Sequence, residues 1–186
     1  FTDRQNSVVV SEALNFQSNI RTMDVGASQR SATSSLISLL ESGVESDALL
    51  VSSEHRRSKA GSRSEMLWGD AAGALLIGHK NVIAECIGVE TSAIDFVDHY
   101  RGEESDFDYD WEERWIRDEG YLKVIPPAVD KLLIQANIKS EEIAHLVIPS
   151  DQARTPGAIA KKLGIAQEAV VDNQISSVGV AGTAQP

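Results

Sequence analysis

The lone thiol, Cys86, lies in the apolar run Val82-Ile83-Ala84-Glu85-Cys86-Ile87-Gly88. It has no second cysteine for an internal disulfide or a thiolate metal site, so it is expected to be a small buried hydrophobe in a strand. The four histidines are dispersed. His55 and His79 fall in loops, His99 beside an acidic segment and His145 just before a strand, and the spacing sets none of them beside a nucleophile. Ser28 stands at the start of a helix, a position where serine caps backbone amides, and it lacks a neighbouring base to activate it. Two segments carry a denser chemistry. In His55-Arg56-Arg57-Ser58-Lys59-Ala60-Gly61-Ser62-Arg63, the donors Arg56, Arg57, Lys59 and Arg63 suit phosphate oxygens, although a solvated basic loop has the same composition. In Asp106-Phe107-Asp108-Tyr109-Asp110-Trp111-Glu112-Glu113-Arg114-Trp115, aromatic residues alternate with acids. That pattern fits a docking surface for a partner, or equally an inward packing of Trp111 and Trp115 at i,i+4.

These groups need elements to position them. Asn6 to Gln17 reads as a helix and Ile20 to Val25 as a short strand entering Gly26-Ala27. Ser31 to Leu40 follows as a helix, with Leu36, Leu39 and Leu40 at helical spacing and Gly43 as a stop. The small residues of its first turns predict a close approach to other backbones. Ala48-Leu49-Leu50-Val51 is a buried strand, which completes a βαβ pattern. Strands are expected from Gly73 to Ile77 and from Val82 to Val89, joined as a hairpin at Gly78-His79-Lys80-Asn81. Asp95 to Glu119 reads as a long excursion away from the core. Leu122 to Ala136 is a helix with Pro126-Pro127 in its opening part, where missing amide donors cost least. Ser140 to Ile143 is a turn, Leu146-Val147-Ile148 a buried strand, Pro156 to Leu163 a short helix closed by Gly164, and Ala169-Val170-Val171 a last strand.

With 42% hydrophobic residues in 186, the chain can bury a core. A formal net charge of −11 argues against a general nucleic-acid binder, which needs clustered Lys and Arg. No run of eighteen apolar residues is present, and the opening Phe1-Thr2-Asp3-Arg4 lacks the layout of a signal peptide, so no membrane association is expected and the cytoplasm is the expected location. The opening without Met, and the small-residue run from Gly179 to Pro186, lead us to expect part of a longer fold.

The order of these pieces resembles the thiolase superfamily, in its ketoacyl synthase III and HMG-CoA synthase branch, over nearly the whole chain. Met23-Asp24-Val25-Gly26-Ala27-Ser28-Gln29-Arg30-Ser31-Ala32-Thr33 is similar to that family's nucleophile elbow. Gly69-Asp70-Ala71-Ala72-Gly73-Ala74 resembles its Gly-Asp-Gly-Ala-Gly-Ala turn and strand and is the most specific match. Pro149-Ser150-Asp151-Gln152-Ala153 resembles its His-Gln-Ala turn, and Val178-Gly179-Val180-Ala181-Gly182 its Gly-Asn turn. The resemblance implies an α/β thiolase fold, layered α/β/α/β/α from two related halves, of which this chain covers about the central half. Residues 1–90 would be the later part of the first half, 91–119 an acidic aromatic insertion, and 120–186 most of the second half.

The resemblance also implies acyl-CoA as the substrate, with coenzyme A its carrier, no metal in this chain, and pairing as a homo- or heterodimer with a thiolase-fold subunit. Relatives with a Trp-Glu-Glu-Arg-Trp-type insertion further imply a small zinc-ribbon and OB-fold subunit. Such enzymes place a thiolate at a helix N-terminus to accept the acyl group and use His and Asn to hold a thioester oxygen. At the corresponding positions this sequence has Gln29, Asp151 and Val180, and none of the three can do that work. The first expectation is therefore a catalytically degenerate subunit of an acyl-CoA C–C bond forming or cleaving complex. An active acyltransferase with non-standard residues and a CoA-thioester binding module are the alternatives. Gly69, Asp70 and Gly73 are expected to be structural, with glycine permitting close approach and Asp70 bonding the turn. The isolated piece is expected to be marginal, because its sheets would present unpaired edges.

Overall fold

A computed structural model describes residues 3–26, 28–43 and 45–185. The expectations placed on Ala27 lie outside those residues. The core gathers around a nine-residue helix near the C-terminal end, which the chain builds from Thr155-Pro156 at its start and Gly164 at its stop. Proline fits the first turn because an amide donor there has no intrahelical partner. Gly164 takes a left-handed φ of 71°, a conformation that costs glycine nothing. Between them Ile159, Ala160 and Leu163 recur on one face and are buried, with Ile159 fully so. They pack with Ile148, Ile165 and Ala169, and Tyr121, Ile125, Val129 and Leu146 lean on the cluster.

The elements in order are α1 (Asn6–Ala13), α2 (Ser31–Glu41), β1 (Ala48–Glu54), α3 (Arg63–Leu67), β2 (Ala71–Ile77), β3 (His99–Tyr100), β4 (Tyr109–Asp110), α4 (Glu113–Trp115), α5 (Leu122–Ala136) and α6 (Thr155–Leu163). A π-helical turn, Ile116–Tyr121, fuses α4 to α5. Pro126 and Pro127 therefore sit in the middle of one continuous helical run, not near its beginning as the sequence suggested. The carbonyl of Leu122, which Pro126 leaves without an amide donor, instead accepts Lys162 Nζ from α6 at 2.5 Å. α2 turns its buried Ser31 and Ser35 inward, in keeping with the close approach predicted from its small residues.

β1 and β2 pair antiparallel without a slip from Ala48–Ile77 to Glu54–Ala71, and β3 pairs with β4. Several expected strands are corrected by the structure. Ile20 to Val25 forms no strand, so the βαβ unit has no first strand to pair. Val82 to Val89 is not paired with β2, and the hairpin at Gly78 to Asn81 does not form. Leu146 and Val170 make a single parallel bridge in place of two strands, and Gln167–Ala169 is a turn of 3-10 helix. The common cause is physical: a strand is defined by its neighbours, and these segments have the residue types of strands but no adjacent backbone to bond. Cys86 accordingly is exposed and lies outside any strand, which overturns the buried reading. The Asp95 to Glu119 segment also differs from expectation. It holds β3, β4 and α4, and it lines the site described next.

Candidate functional site

The site begins with two glycines. Val180 N–H donates to the Leu67 carbonyl at 2.7 Å and Gly69 N–H to the Val180 carbonyl at 3.2 Å, making a parallel bridge between Trp68 and Val180. A Cβ on Gly69 would lie 1.8 Å from the Val178 carbonyl oxygen, and one on Gly179, whose φ is +85°, would lie 2.8 Å from the Leu67 oxygen. Only a pair of glycines lets these backbones meet, and their meeting brings Trp68 and Val180 to one wall. Gly73 has no comparable constraint, since the nearest atom to an added Cβ is Ser52 Oγ at 3.9 Å. Among the described residues, Asp70 does not bond its own turn as expected. It pairs with His55 Nδ1 at 2.7 Å on the surface.

A second wall is the turn before α6. Gln152 is buried; its Nε2 donates to the Glu113 carbonyl at 3.0 Å and its Oε1 accepts Thr155 Oγ1 at 3.0 Å. Asn173 Nδ2 donates to the Ser150 carbonyl at 3.1 Å. With both ends of the turn anchored, Asp151 is held toward Arg63, whose Nη1 donates to Asp151 Oδ2 at 2.8 Å and whose Nη2 stands 3.7 Å from Glu113. Burial opposes the charge on Arg63, but the bond and charge of Asp151 outweigh it and raise its pKa.

Gln29, Asp151 and Val180, far apart in sequence, line one cavity of about 130 Å³. Its volume is small beside the roughly 300–1,000 Å³ of small-molecule sites. Ser28 is not in its lining. Ser28 Oγ accepts the Arg30 amide at 3.1 Å, a turn bond before the helix; the N-cap of α2 is Arg30, without a side-chain cap, so the capping role expected of Ser28 is corrected. Of the four basic residues expected at phosphates, Arg56 and Arg63 reach the cavity, whereas Arg57 and Lys59 do not and are exposed. The Arg56 guanidinium lies 3.8 Å over the Trp68 ring. Its Nε and one terminal nitrogen are buried without hydrogen-bond partners, and burial lowers its pKa.

The sequence missed His99. Its Nε2 is 2.8 Å from Gln29 Nε2 and its Nδ1 is 2.8 Å from Asp98 Oδ1. The hydrogen bond that His99 donates to Asp98 raises the His99 pKa against the opposing effect of burial. Burial likewise pushes Asp98 up, but its bond to His99 prevails and the net shift is downward. With a neutral ring, Nδ1–H donates to Asp98 and the Gln29 amide donates to Nε2; with a charged ring, a rotated amide offers Oε1 to Nε2–H. Gln29 thus serves either protonation state. The Asp98-His99 dipeptide was the only signal available in the sequence, and adjacency alone does not reveal a partner seventy residues away. Tyr121, whose hydroxyl is pushed up in pKa by burial, completes the inner wall. A larger groove of about 870 Å³ along α6 contains none of the expected site residues.

Comparison with known proteins places the fold. No family model matches the sequence. A structure of MvaS in complex with 3-hydroxy-3-methylglutaryl coenzyme A superposes over 100% of this chain with a TM-score of 0.78 and 16% identity. The ketoacyl synthase III FabH of Pseudomonas aeruginosa does so over 100% with a TM-score of 0.78 and 20% identity. An HMG-CoA synthase complexed with CoA matches over 100% with a TM-score of 0.72 and 16% identity. The chain has part of the thiolase fold. It spans 55%, 62% and 51% of those three chains. The thiolase-fold reading made from the motifs therefore holds for the architecture. Among the described residues, no helix is long and apolar enough to cross a membrane, and no group of three His, Cys, Asp or Glu is arranged to hold a metal ion.

Proposed function

We propose that this chain is a thiolase-fold subunit of a complex that forms or cleaves a C–C bond on an acyl-CoA, that it holds a CoA thioester, and that it does not itself carry the acyl group. The observation that carries this reading is the lining of the cavity: Gln29, Asp151 and Val180 share it and no thiol does. An amide cannot become a thioester, so covalent acyl transfer has no acceptor at Gln29. Asp151 places a carboxylate, held by Arg63, where developing negative charge would need donors, and the aliphatic Val180 supplies none. The chain then divides into residues 1–90 of a first half, the insertion 91–119, and residues 120–186 of a second.

The CoA assignment is supported by the similar structures that hold 3-hydroxy-3-methylglutaryl-CoA or CoA. Arg63 is occupied by Asp151 and Glu113 and Arg56 by Trp68, so the proposed phosphate contacts fall mainly to the exposed Arg57 and Lys59. The cavity itself accommodates a short acyl end and not the whole carrier. A dimeric thiolase-fold partner and a small zinc-ribbon and OB-fold subunit would complete the complex.

A second reading has its own observation. Asp98 and His99 form an acid–base pair beside Gln29, the equipment for proton transfer without a covalent intermediate. Intact mass spectrometry of the purified native complex after incubation with acetyl-CoA and longer acyl-CoAs separates the cases. Acylation confined to a companion subunit, or absent everywhere, is the expected result. A stable adduct on this chain sinks the proposal. Turnover without any adduct that disappears in His99→Gln decides for the second reading.

A further inference from the structure

We propose that the acidic aromatic face built by residues 95–119 is a docking surface for a protein partner that presents a cluster of arginines. The charge of the molecule is concentrated there. This stretch holds eleven Asp and Glu against three Arg, a net of −8 out of the chain's −11, together with six of its ten aromatic residues. The aromatic rings are ordered against one another. Phe96 stacks on Trp115 at 4.4 Å, Trp115 meets Trp111 at 6.0 Å, Trp111 meets Tyr109 at 6.1 Å, and Tyr109 meets Tyr100 at 5.4 Å.

This is a continuous ladder of five rings, and four of them are exposed: Tyr109 at 55%, Tyr100 at 51%, Trp111 at 49% and, marginally, Trp115 at 37%. The inward packing considered from the i,i+4 spacing is therefore incomplete. Contiguous exposed aromatic surface is a mark of interaction sites.

The chemistry of the partner follows from the rim. Asp95, Glu103, Glu104 and Asp106 are exposed and make no ion pair among the described residues. Nucleic acid and anionic lipid are repelled by such a rim. A guanidinium satisfies both parts of the surface, because it stacks flat on an aromatic face and bonds a carboxylate through its edge. The protein already makes the first of these contacts internally, with Arg56 on Trp68. Ammonium groups satisfy the rim but stack less well. Because Asp98, Asp110, Trp111 and Glu113 also line the cavity, a cationic partner seated here would offset four neighbouring carboxylates, counting Asp151, beside the site. This inference does not depend on the proposed acyl-CoA function.

The test uses the full chain with fluorescein-labelled deca-arginine and deca-lysine at matched ionic strength, read by anisotropy, beside sedimentation of the chain alone. Deca-arginine is expected to bind at least about fivefold more tightly than deca-lysine. That preference should vanish in the Tyr109→Ala/Trp111→Ala variant, and Asp106→Asn/Glu104→Gln should weaken both peptides. The exposed positions of these residues, away from Ile159 and its neighbours, leave the core intact, which circular dichroism of each variant checks. Equal binding of the two peptides, or binding indifferent to the aromatic substitutions, overturns the proposal. Self-association abolished by the aromatic double substitution overturns it in favour of a second copy of this chain.

Discussion

At the scale of single residues, the site rests on two hydrogen bonds, one at each nitrogen of a single imidazole. Asp98 holds one ring nitrogen of His99 and Gln29 the other. Because the folded pKa of His99 is raised, its contribution to stability is fully present below the unfolded value near 6.5 and is lost as pH climbs through the higher folded value. For Asp98 the folded pKa is depressed, so its contribution is present above its unfolded value of 3.8 and fades as pH falls through the folded one. The pair is therefore strongest between those two limits. Asp98→Asn removes the carboxylate that favours the imidazolium, and a proton NMR titration should show the His99 pKa drop below that of the unaltered chain. An unchanged titration would mean that Asp98 does not set the charge of the ring.

At the scale of elements, long-range side-chain contacts do what local caps do not. The N-terminus of α1 has no side-chain cap of its own at Gln5. Asp24, eighteen residues on, accepts Asn6 N–H at 2.6 Å and Ser7 N–H at 2.8 Å, a carboxylate at the positive end of the helix. Proximity to the Ser7 hydroxyl, then the Ser7 and Asn6 amides, lowers Asp24 to about 2. The contribution of this cap is therefore present above the unfolded pKa of 3.8 and is lost as pH falls toward 2. Asp24→Asn is expected to speed hydrogen exchange at the Asn6 and Ser7 amides at neutral pH while leaving α6 unaffected. The bridge between Trp68 and Val180 offers a sharper case. Gly69→Ala drives a methyl into the Val178 carbonyl, a backbone atom that cannot swing aside, so we expect a loss of about 3 kcal/mol or failure to fold. Denaturant melts of this variant beside Gly73→Ala, where no clash arises, should show the difference; equal melts would refute the close approach.

The whole molecule exposes 13606 Å², whereas a compact monomer of its 20.1 kDa would expose about 8,700 Å². The excess includes apolar side chains of β2 and of the chain that follows it, with Leu76 74% and Ile83 105% exposed. Buried hydrophobic packing is concentrated around α6. Ile159→Ala should cost about 3 kcal/mol, as emptying a fully buried site does, while Leu76→Ala should leave the chain alone almost unaffected. The isolated chain should also enhance ANS fluorescence in native buffer, with helical circular dichroism retained. A melt equally sensitive to both substitutions, without dye binding, would show that the sheet face is covered in solution.

Elements whose causes are local could be read from the order of residues alone. α5 and α6 were legible from apolar spacing and from Pro156 and Gly164, because helices satisfy their own backbone bonds and carry their stop signals with them. The fold family was legible from short glycine-rich turns, since Gly69 and Gly179 are tied to particular backbone approaches. Which strand-like segments become strands was settled by contacts distant in the chain: Ile20 to Val25 and Val82 to Val89 have the right residues, but pairing is supplied by neighbours. Tertiary structure likewise decided the site's contents. Gln29, Asp151 and Val180 were placed through motifs, and folding shows that they share a cavity. His99, Trp68 and the burial of Arg56 left no periodicity to read, because each depends on contacts between segments distant in the chain.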